Sequence, residues 1–202
     1  MISGVLFDLG DTLLLTDWDA LHAQFEARTG LSIRMSSRIK KIYIREVLIG
    51  ERSLVDLFIM FKEEQRNPHS VDELIALYSE LYAHYTTVDQ DLIGLVRKLK
   101  SRVFVACVTN TNDVHARINR RRGVYDYFHK AYVSCEVGMR KPQKELFEFI
   151  AEEDLIPVDR LLFMDDHLEN IKAARRVGLK TIHFENKPDF FDDMRILFPH
   201  LR

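Results

Sequence analysis

The feature that most constrains this 202-residue chain is a set of five short apolar runs: Val5-Leu6-Phe7, Val103 to Val108, Tyr132-Val133, Leu161 to Met164 and Thr181 to Phe184. None alternates cleanly between apolar and polar positions, so each reads as a strand covered on both faces, as strands inside a parallel sheet are. Segments of helical period separate the last four. Leu146, Phe147 and Ile150 form one, with Pro142 ahead of them at an expected first helical position; Leu168, Ile171, Ala174 and Val177 form another, which Gly178 should stop. Strand and helix in alternation imply an α/β fold, a Rossmann-like doubly wound parallel sheet.

The interval from Thr16 to Tyr85 breaks that rhythm, with several successive helical patterns and no convincing strand. It reads as an inserted helical domain. Trp18, Leu21 and Phe25 make one apolar stripe. Leu74, Leu77, Tyr78, Leu81, Tyr82 and Tyr85 make a stronger one, opened by Ser70 and Glu73 at capping-box spacing. Packing against the rest of the insertion accounts for that stripe, and a ligand wall is the alternative. The expected organisation is a core of residues 1–15 and 86–202 with a helical domain at 16–85. A chain of this length can bury one core with an embellishment, not two large lobes.

Apolar residues make up 47% and charged residues 30%, the balance of a soluble globular protein. A formal net charge of −2 offers no broad attraction to nucleic acid or to an acidic membrane surface. The one basic cluster, Arg117, Arg120, Arg121 and Arg122, reads as a solvated helix face. Cys107 and Cys135 cannot form a disulfide framework and suit a reducing compartment. No run approaches the ~18 apolar residues that span a bilayer, and Met1 to Gly10 lacks the pattern of a secretion signal. These features lead to the expectation of a cytoplasmic protein with a small-molecule partner.

Four of the strand ends carry chemistry. The first run leads into Asp8-Leu9-Gly10-Asp11-Thr12, which places an acid at the carboxyl edge of the sheet, where open α/β folds bind ligands. Asp8 is a candidate nucleophile on phosphorus. Two anions repel, so such a reaction needs a cation between them and donors around the phosphate. Asp165 and Asp166 follow the run ending at Met164, and a carboxylate there is a candidate partner for Asp8 in holding Mg²⁺, an ion that prefers hard oxygen ligands. Thr109 and Asn110 offer a hydroxyl, an amide and backbone N–H groups to phosphoryl oxygens. Lys141 offers a cation to the transferring phosphate. Singly, each has a plainer reading as a cap, a turn or a solvated lysine; together and in this order they point to one shared site.

The motifs Asp8-Leu9-Gly10-Asp11-Thr12, Thr109-Asn110, Lys141-Pro142 and Asp165-Asp166 with Asn170 resemble the four motifs of the haloacid dehalogenase (HAD) superfamily of phosphatases. The likeness covers nearly the whole chain, and Thr16 to Tyr85 falls where that family inserts a helical C1-type cap. Thr109 to Asn112, Gly138 to Pro142 and Asp165 to Ile171 are most similar to bacterial α-D-glucose-1-phosphate phosphatases; the phosphatase domain of soluble epoxide hydrolase is a more distant likeness. The resemblance implies an aspartyl-phosphate intermediate on Asp8 and Mg²⁺ held by Asp8, the Gly10 carbonyl and Asp166. It implies a phosphate-binding turn at Thr109 and Asn110, a charge-neutralising Lys141, and supporting roles for Asp165 and Asn170. The expected activity is hydrolysis of a small phosphorylated metabolite, with a sugar phosphate as first choice.

One departure from the pattern stands out. Most phosphatases of the superfamily place a second Asp two residues after the nucleophile as general acid/base, and this chain has Gly10 there. Candidate substitutes are Asp11, His167, and Asp17 or Asp19 from the insertion; a turn or cap role is the plainer reading of Asp11. The eight histidines include no pair at metal-ligand spacing. His115 and His167 are candidate site-rim residues, and His22, His84 and His183 are expected at packing or surface positions. Two rival readings remain at this stage: carbon–halogen cleavage, and a phosphate-binding domain that labels Asp8 without efficient turnover.

Overall fold

A computed structural model describes residues 1–34 and 36–200. The apolar runs become five parallel strands: β1 (Gly4–Phe7), β4 (Phe104–Thr109), β5 (Lys130–Val133), β6 (Leu161–Asp165) and β7 (Lys180–His183), in the order β5-β4-β1-β6-β7. Val5 pairs with Val105 on one side of β1 and with Leu162 on the other; Val108 pairs with Tyr132 and Met164 with Ile182. The chain moves outward from β1 through β4 to β5, then returns to β6 and leaves through β7. That reversal around β1 opens a crevice at the carboxyl edge of the sheet.

Both faces of the sheet are covered, which is why the runs do not alternate. On one face Val5, Phe7 and Val105 meet Leu92, Val96 and Leu99 of α5 (Gln90–Lys100) and Phe190 and Met194 of α10 (Lys187–Leu197). On the other, Leu6, Val108 and Phe163 meet Phe147 and Ile150 of α8 (Lys144–Glu153) and Ile171 and Ala174 of α9 (Leu168–Val177). Burying each large aliphatic or aromatic side chain is worth about 1.5–3 kcal/mol, so these two layers anchor the strand ends. Gly178 closes α9 at φ 107°, a conformation that excludes most side chains.

Two expectations need correction. Pro142 is not at the first position of α8: that helix begins at Lys144, and Lys141-Pro142 forms a cis peptide bond in the preceding turn. A two-stranded antiparallel ribbon, β2 (Leu14–Thr16) with β3 (Thr86–Val88), also stands where no strand was read. Three residues per strand leave no period to detect. β2 crosses the first expected boundary and β3 starts at the second, with the Thr16 and Thr86 hydroxyls 3.0 Å apart.

Between the ribbon strands lie α1 (Trp18–Thr29), α2 (Ser37–Ile42), a π-helical turn (Tyr43–Val47), α3 (Leu54–Glu64) and α4 (Val71–Tyr85). The capping box forms as its spacing predicts: the Ser70 N–H donates to Glu73 at 2.8 Å and the Glu73 N–H to the Ser70 hydroxyl at 3.2 Å. Leu21, Phe25, Leu74, Tyr78, Leu81 and Tyr82 build an apolar cluster that Val114 and Ile118 of the core complete, so the Leu and Tyr stripe is packing.

Candidate active site

Asp8 sits one residue past β1, its N–H still donating to the Met164 carbonyl at 3.0 Å. The chain then doubles back. The Leu14 N–H donates to the Leu9 carbonyl at 2.7 Å, and the Asp11 N–H to the Leu14 carbonyl at 2.9 Å. Asp11 takes φ 55°, which aspartate tolerates better than most residues. This turn carries the Thr12 hydroxyl to 2.9 Å from the Asp8 carbonyl and 3.1 Å from Asp8 Oδ2, so a buried donor restrains the Asp8 carboxylate.

Lys141 reaches the same point from the far side of β4. Asn110 holds its main chain at both ends: the Lys141 N–H donates to Asn110 Oδ1 at 2.9 Å, and Asn110 Nδ2 donates to the Lys141 carbonyl at 2.8 Å. The side-chain amide of Asn110 is therefore engaged, whereas its main-chain N–H and Thr109 Oγ1 are among the groups of that turn without a hydrogen-bond partner among the described residues. The Lys141 ammonium, on a residue only 2% exposed, donates to Asp8 Oδ1 and to Asp165 Oδ2, the latter at 2.7 Å. Asp165 is fully buried. It also accepts from the His167 N–H at 2.8 Å and from Asn170 Nδ2 at 2.9 and 3.0 Å.

Asp166 is half-buried and accepts from or shares a proton with His167 Nδ1 at 2.8 Å through Oδ1 alone. Carboxylate and imidazole atoms of Asp165, Asp166 and His167 lie within 4.8 Å of one another, spacing that suits a cation. Asp165 has both oxygens committed to Lys141, Asn170 and a backbone N–H, whereas Asp166 Oδ2 has no hydrogen-bond partner among the described residues. Asp166 is therefore the better placed metal carboxylate.

The charges do not balance. Burial, followed by the negative charges of Asp165 and Asp166, pushes Asp8 up to about 6 despite the pull of Lys141. Burial works against the Lys141 charge, but Asp8 and Asp165 outweigh it and raise its pKa. Burial and Asp166 also raise Asp11. One ammonium thus faces several carboxylates, a surplus of negative charge that a divalent cation would neutralise.

Gly10 is exposed, and a Cβ placed on it meets no atom within 4 Å. Asp11 makes no side-chain hydrogen bond among the described residues and borders a recess of 480 Å³ with Thr16, Asp17, His84 and Tyr85. Asp17 is occupied as the cap of α1, accepting the Ala20 N–H at 2.9 Å, and Asp19 is exposed on that helix. A groove of 630 Å³ between α5 and α10 contains none of the site residues. His167 is exposed at the site, where its bond to Asp166 raises its pKa. His115 is not on the rim. It is buried among Trp18, Tyr78 and Tyr82, and burial lowers its pKa to about 3.

Sequence reasoning passed over three residues that shape the site. Thr12 restrains Asp8. The Ser134 hydroxyl, at the end of β5, accepts the Thr111 N–H at 2.9 Å and donates to the Thr111 carbonyl at 3.2 Å, fixing the turn after Asn110. His183, at the end of β7, meets the Asp166 carbonyl through Nε2 at 2.8 Å. All but Thr12 lie at strand ends, the one signal available beforehand.

Residues 2–178 match the haloacid dehalogenase-like hydrolase family. The chain is 31% identical over 218 residues to a D-ribitol-5-phosphate phosphatase of Bacteroides thetaiotaomicron, covering 98% of each protein. It is 25% identical to drimenol cyclase drtB of Aspergillus calidoustus, where the match takes in 94% of this chain but only 35% of the longer relative. In fold it is similar to a HAD family enzyme of Bacteroides thetaiotaomicron solved with magnesium and inorganic phosphate, at a TM-score of 0.76 and 23% identity over 95% of this chain and 100% of the other. With a parallel sheet, four motifs at its carboxyl edge and a family match over most of its length, this chain belongs to the haloacid dehalogenase-like hydrolases.

Proposed function

We propose that the protein is a Mg²⁺-dependent phosphatase of small phosphorylated metabolites, with sugar phosphates as its first substrate class. The observation that carries this reading is the buried Asp8–Lys141–Asp165 cluster, to which the Asn110 side chain ties the Thr109–Asn110 turn through the N–H and carbonyl of Lys141. An Asp8 oxygen attacks phosphorus as the bond from phosphorus to the substrate oxygen breaks. Lys141 and the Thr109–Asn110 turn hold the phosphoryl oxygens. The leaving oxygen takes a proton, which we assign to Asp11, whose carboxyl makes no hydrogen bond among the described residues. Water then attacks the aspartyl phosphate and returns its proton to Asp11, releasing inorganic phosphate and restoring Asp8.

The proposed donor set, hard oxygens of Asp8, the Gly10 carbonyl and Asp166, suits magnesium; what supports it is that Asp166 stands with Asp165 and His167 in a group whose ligand atoms lie within 4.8 Å of one another, and that Asp165 and Asp166 raise the pKa of Asp8. When bound, the ion supplies the positive charge that lets one anion approach another. Asp165 and Asn170 support the site by orienting Lys141. Residues 16–85 are assigned as the cap that selects the leaving group, over a core of 1–15 and 86–202, of which residues 201 and 202 lie outside the described residues. The D-ribitol-5-phosphate phosphatase relative supports a polyol or sugar phosphate, and the motif likeness to glucose-1-phosphate phosphatases makes that ester a second member of the panel. Among the described residues no helix is long and apolar enough to cross a membrane, and both cysteines are free, which supports the cytoplasmic assignment.

The test is Mg²⁺-dependent phosphate release from a metabolite panel including ribitol 5-phosphate and glucose 1-phosphate. Wild type should turn over and Asp8→Asn should not; equal rates would reject the mechanism. Metal-independent chloride release from a haloacid would instead indicate a dehalogenase, and labelling of Asp8 that stops at one equivalent would indicate a phosphate-binding domain.

A further inference from the structure

The helical insertion is fastened to the core along α6 (Asp113–Arg121), the helix that begins three residues after Asn110. Asn112 caps α6, its Oδ1 accepting the His115 N–H at 2.9 Å. That bond fixes the orientation of the amide, so Nδ2 faces His115 Nδ1 at 3.0 Å and Tyr43 Oη at 3.3 Å. Nδ1 therefore accepts, and Nε2 carries the proton and donates to Tyr78 Oη at 2.9 Å. The imidazole is neutral and lies against Tyr82, with centroids 3.8 Å apart and planes 7° from parallel.

Other bonds cross the same seam. The Asp113 carboxylate accepts the Ser53 hydroxyl at 2.5 Å and the Leu54 N–H at 2.8 Å, so a core residue caps α3 of the insertion. Asn119 Nδ2 donates to Tyr82 Oη at 3.1 Å. Val114 and Ile118 of α6 belong to the insertion's apolar cluster. Gly50 approaches the core so closely that a Cβ there would stand 2.1 Å from the Cys135 carbonyl oxygen. Parting the seam would strand buried donors and acceptors and expose apolar surface together.

The five residues from Thr109 to Asp113 thus serve two purposes: Asn110, next to Thr109 at the end of β4, is bonded to the main chain of Lys141, and the last two grip the insertion. We propose that Asn112 and His115 are positioning residues through which the insertion holds the Thr109–Asn110 turn in its phosphate-receiving geometry. Insertion and turn respond to phosphate as one body. This rests on the phosphatase reading above and adds to it the route by which the cap acts on the phosphate site.

The chain's single tryptophan makes this testable. Trp18 lies 5.8 Å from the His115 ring and 6.0 Å from the Tyr82 ring, so its emission reports on the seam. Protein saturated with Mg²⁺ is titrated with inorganic phosphate, following heat for binding and Trp18 emission for the seam. Both should saturate at the same phosphate concentration. Tyr78→Phe, which removes the insertion-side partner of His115, should weaken phosphate about fivefold or more with Mg²⁺ affinity and circular dichroism unchanged. Tyr43→Phe, which removes the longer bond to Asn112, takes its place if Tyr78→Phe fails to fold, with an effect in the same direction. A silent Trp18 in wild type that binds phosphate by heat, or a folded variant that binds phosphate within about twofold of wild type, overturns the coupling. Wild type that takes up no phosphate by either measure overturns the phosphatase reading instead.

Discussion

Replacing the proposed nucleophile should make the metal-free protein more stable. Asp8 titrates near 6 in the folded state against 3.8 for a free aspartate, chiefly because it is buried. The folded chain therefore binds more protons than the unfolded chain between about pH 4 and 6, and stability falls as pH rises through that window. A shift of roughly two units at ~1.4 kcal/mol each makes the ionised carboxylate cost about 3 kcal/mol above pH 7. Asn at this position copies the neutral carboxyl, and Lys141 keeps its bond to Asp165. In EDTA at pH 8, Asp8→Asn should melt roughly 6–12 °C above wild type, at ~2–4 °C per kcal/mol for a chain of this size. The advantage should vanish near pH 4. Saturating Mg²⁺ should narrow the gap, since ligand at about 100 times its Kd stabilises wild type alone by about 2.7 kcal/mol. Thermal and urea melts across pH 4–8, with and without Mg²⁺, measure all of this. An Asp8→Asn protein less stable than wild type at pH 8 in EDTA would show that Lys141 outweighs burial, and the surplus-charge basis for the metal would fail.

Gly10→Asp meets no steric obstacle, because a Cβ there has no neighbour within 4 Å. It should raise turnover of ordinary alkyl phosphates by ~10²-fold or more, within the range of general acid catalysis, and raise glucose 1-phosphate less, since its leaving group needs the acid less. Unchanged kcat on both esters would mean that no acid is lacking at that position. Lys141→Met leaves Asp8 and Asp165 buried without their cation and should cost about 3–5 kcal/mol at pH 8 in EDTA, along with activity. Part of that loss should return as pH falls and Asp8 takes up a proton; a urea midpoint that does not recover toward pH 5 would contradict it.

Much of the candidate site was legible because its chemistry sits at strand ends, and strand ends can be found from apolar runs. Asp8, Thr109 and Asp165 each follow such a run, and Lys141 was found by its charge beside a proline. What stayed hidden were side chains acting on other main chains. Thr12 curls back to Asp8 through a turn, Ser134 ties down Thr111, and His183 reaches the Asp166 carbonyl from a neighbouring strand. Nothing in residue type or spacing announces a hydrogen bond to a distant peptide group. His115 misled for the same reason: proximity to Thr111 in sequence suggested the rim, while α6 turns its ring into the insertion.

The sequence by itself determined the layered α/β core, the helical character of 16–85, the caps of α4 and α9, and which residue types could meet at the sheet edge. These depend on period and local conformation, which short stretches of chain specify. Only the tertiary structure decided that Lys141 lies between two buried carboxylates, that Asp165 is fully engaged while Asp166 Oδ2 has no hydrogen-bond partner among the described residues, and that the insertion grips α6. Those outcomes depend on distances between segments far apart in the chain, and burial converts such distances into large electrostatic effects.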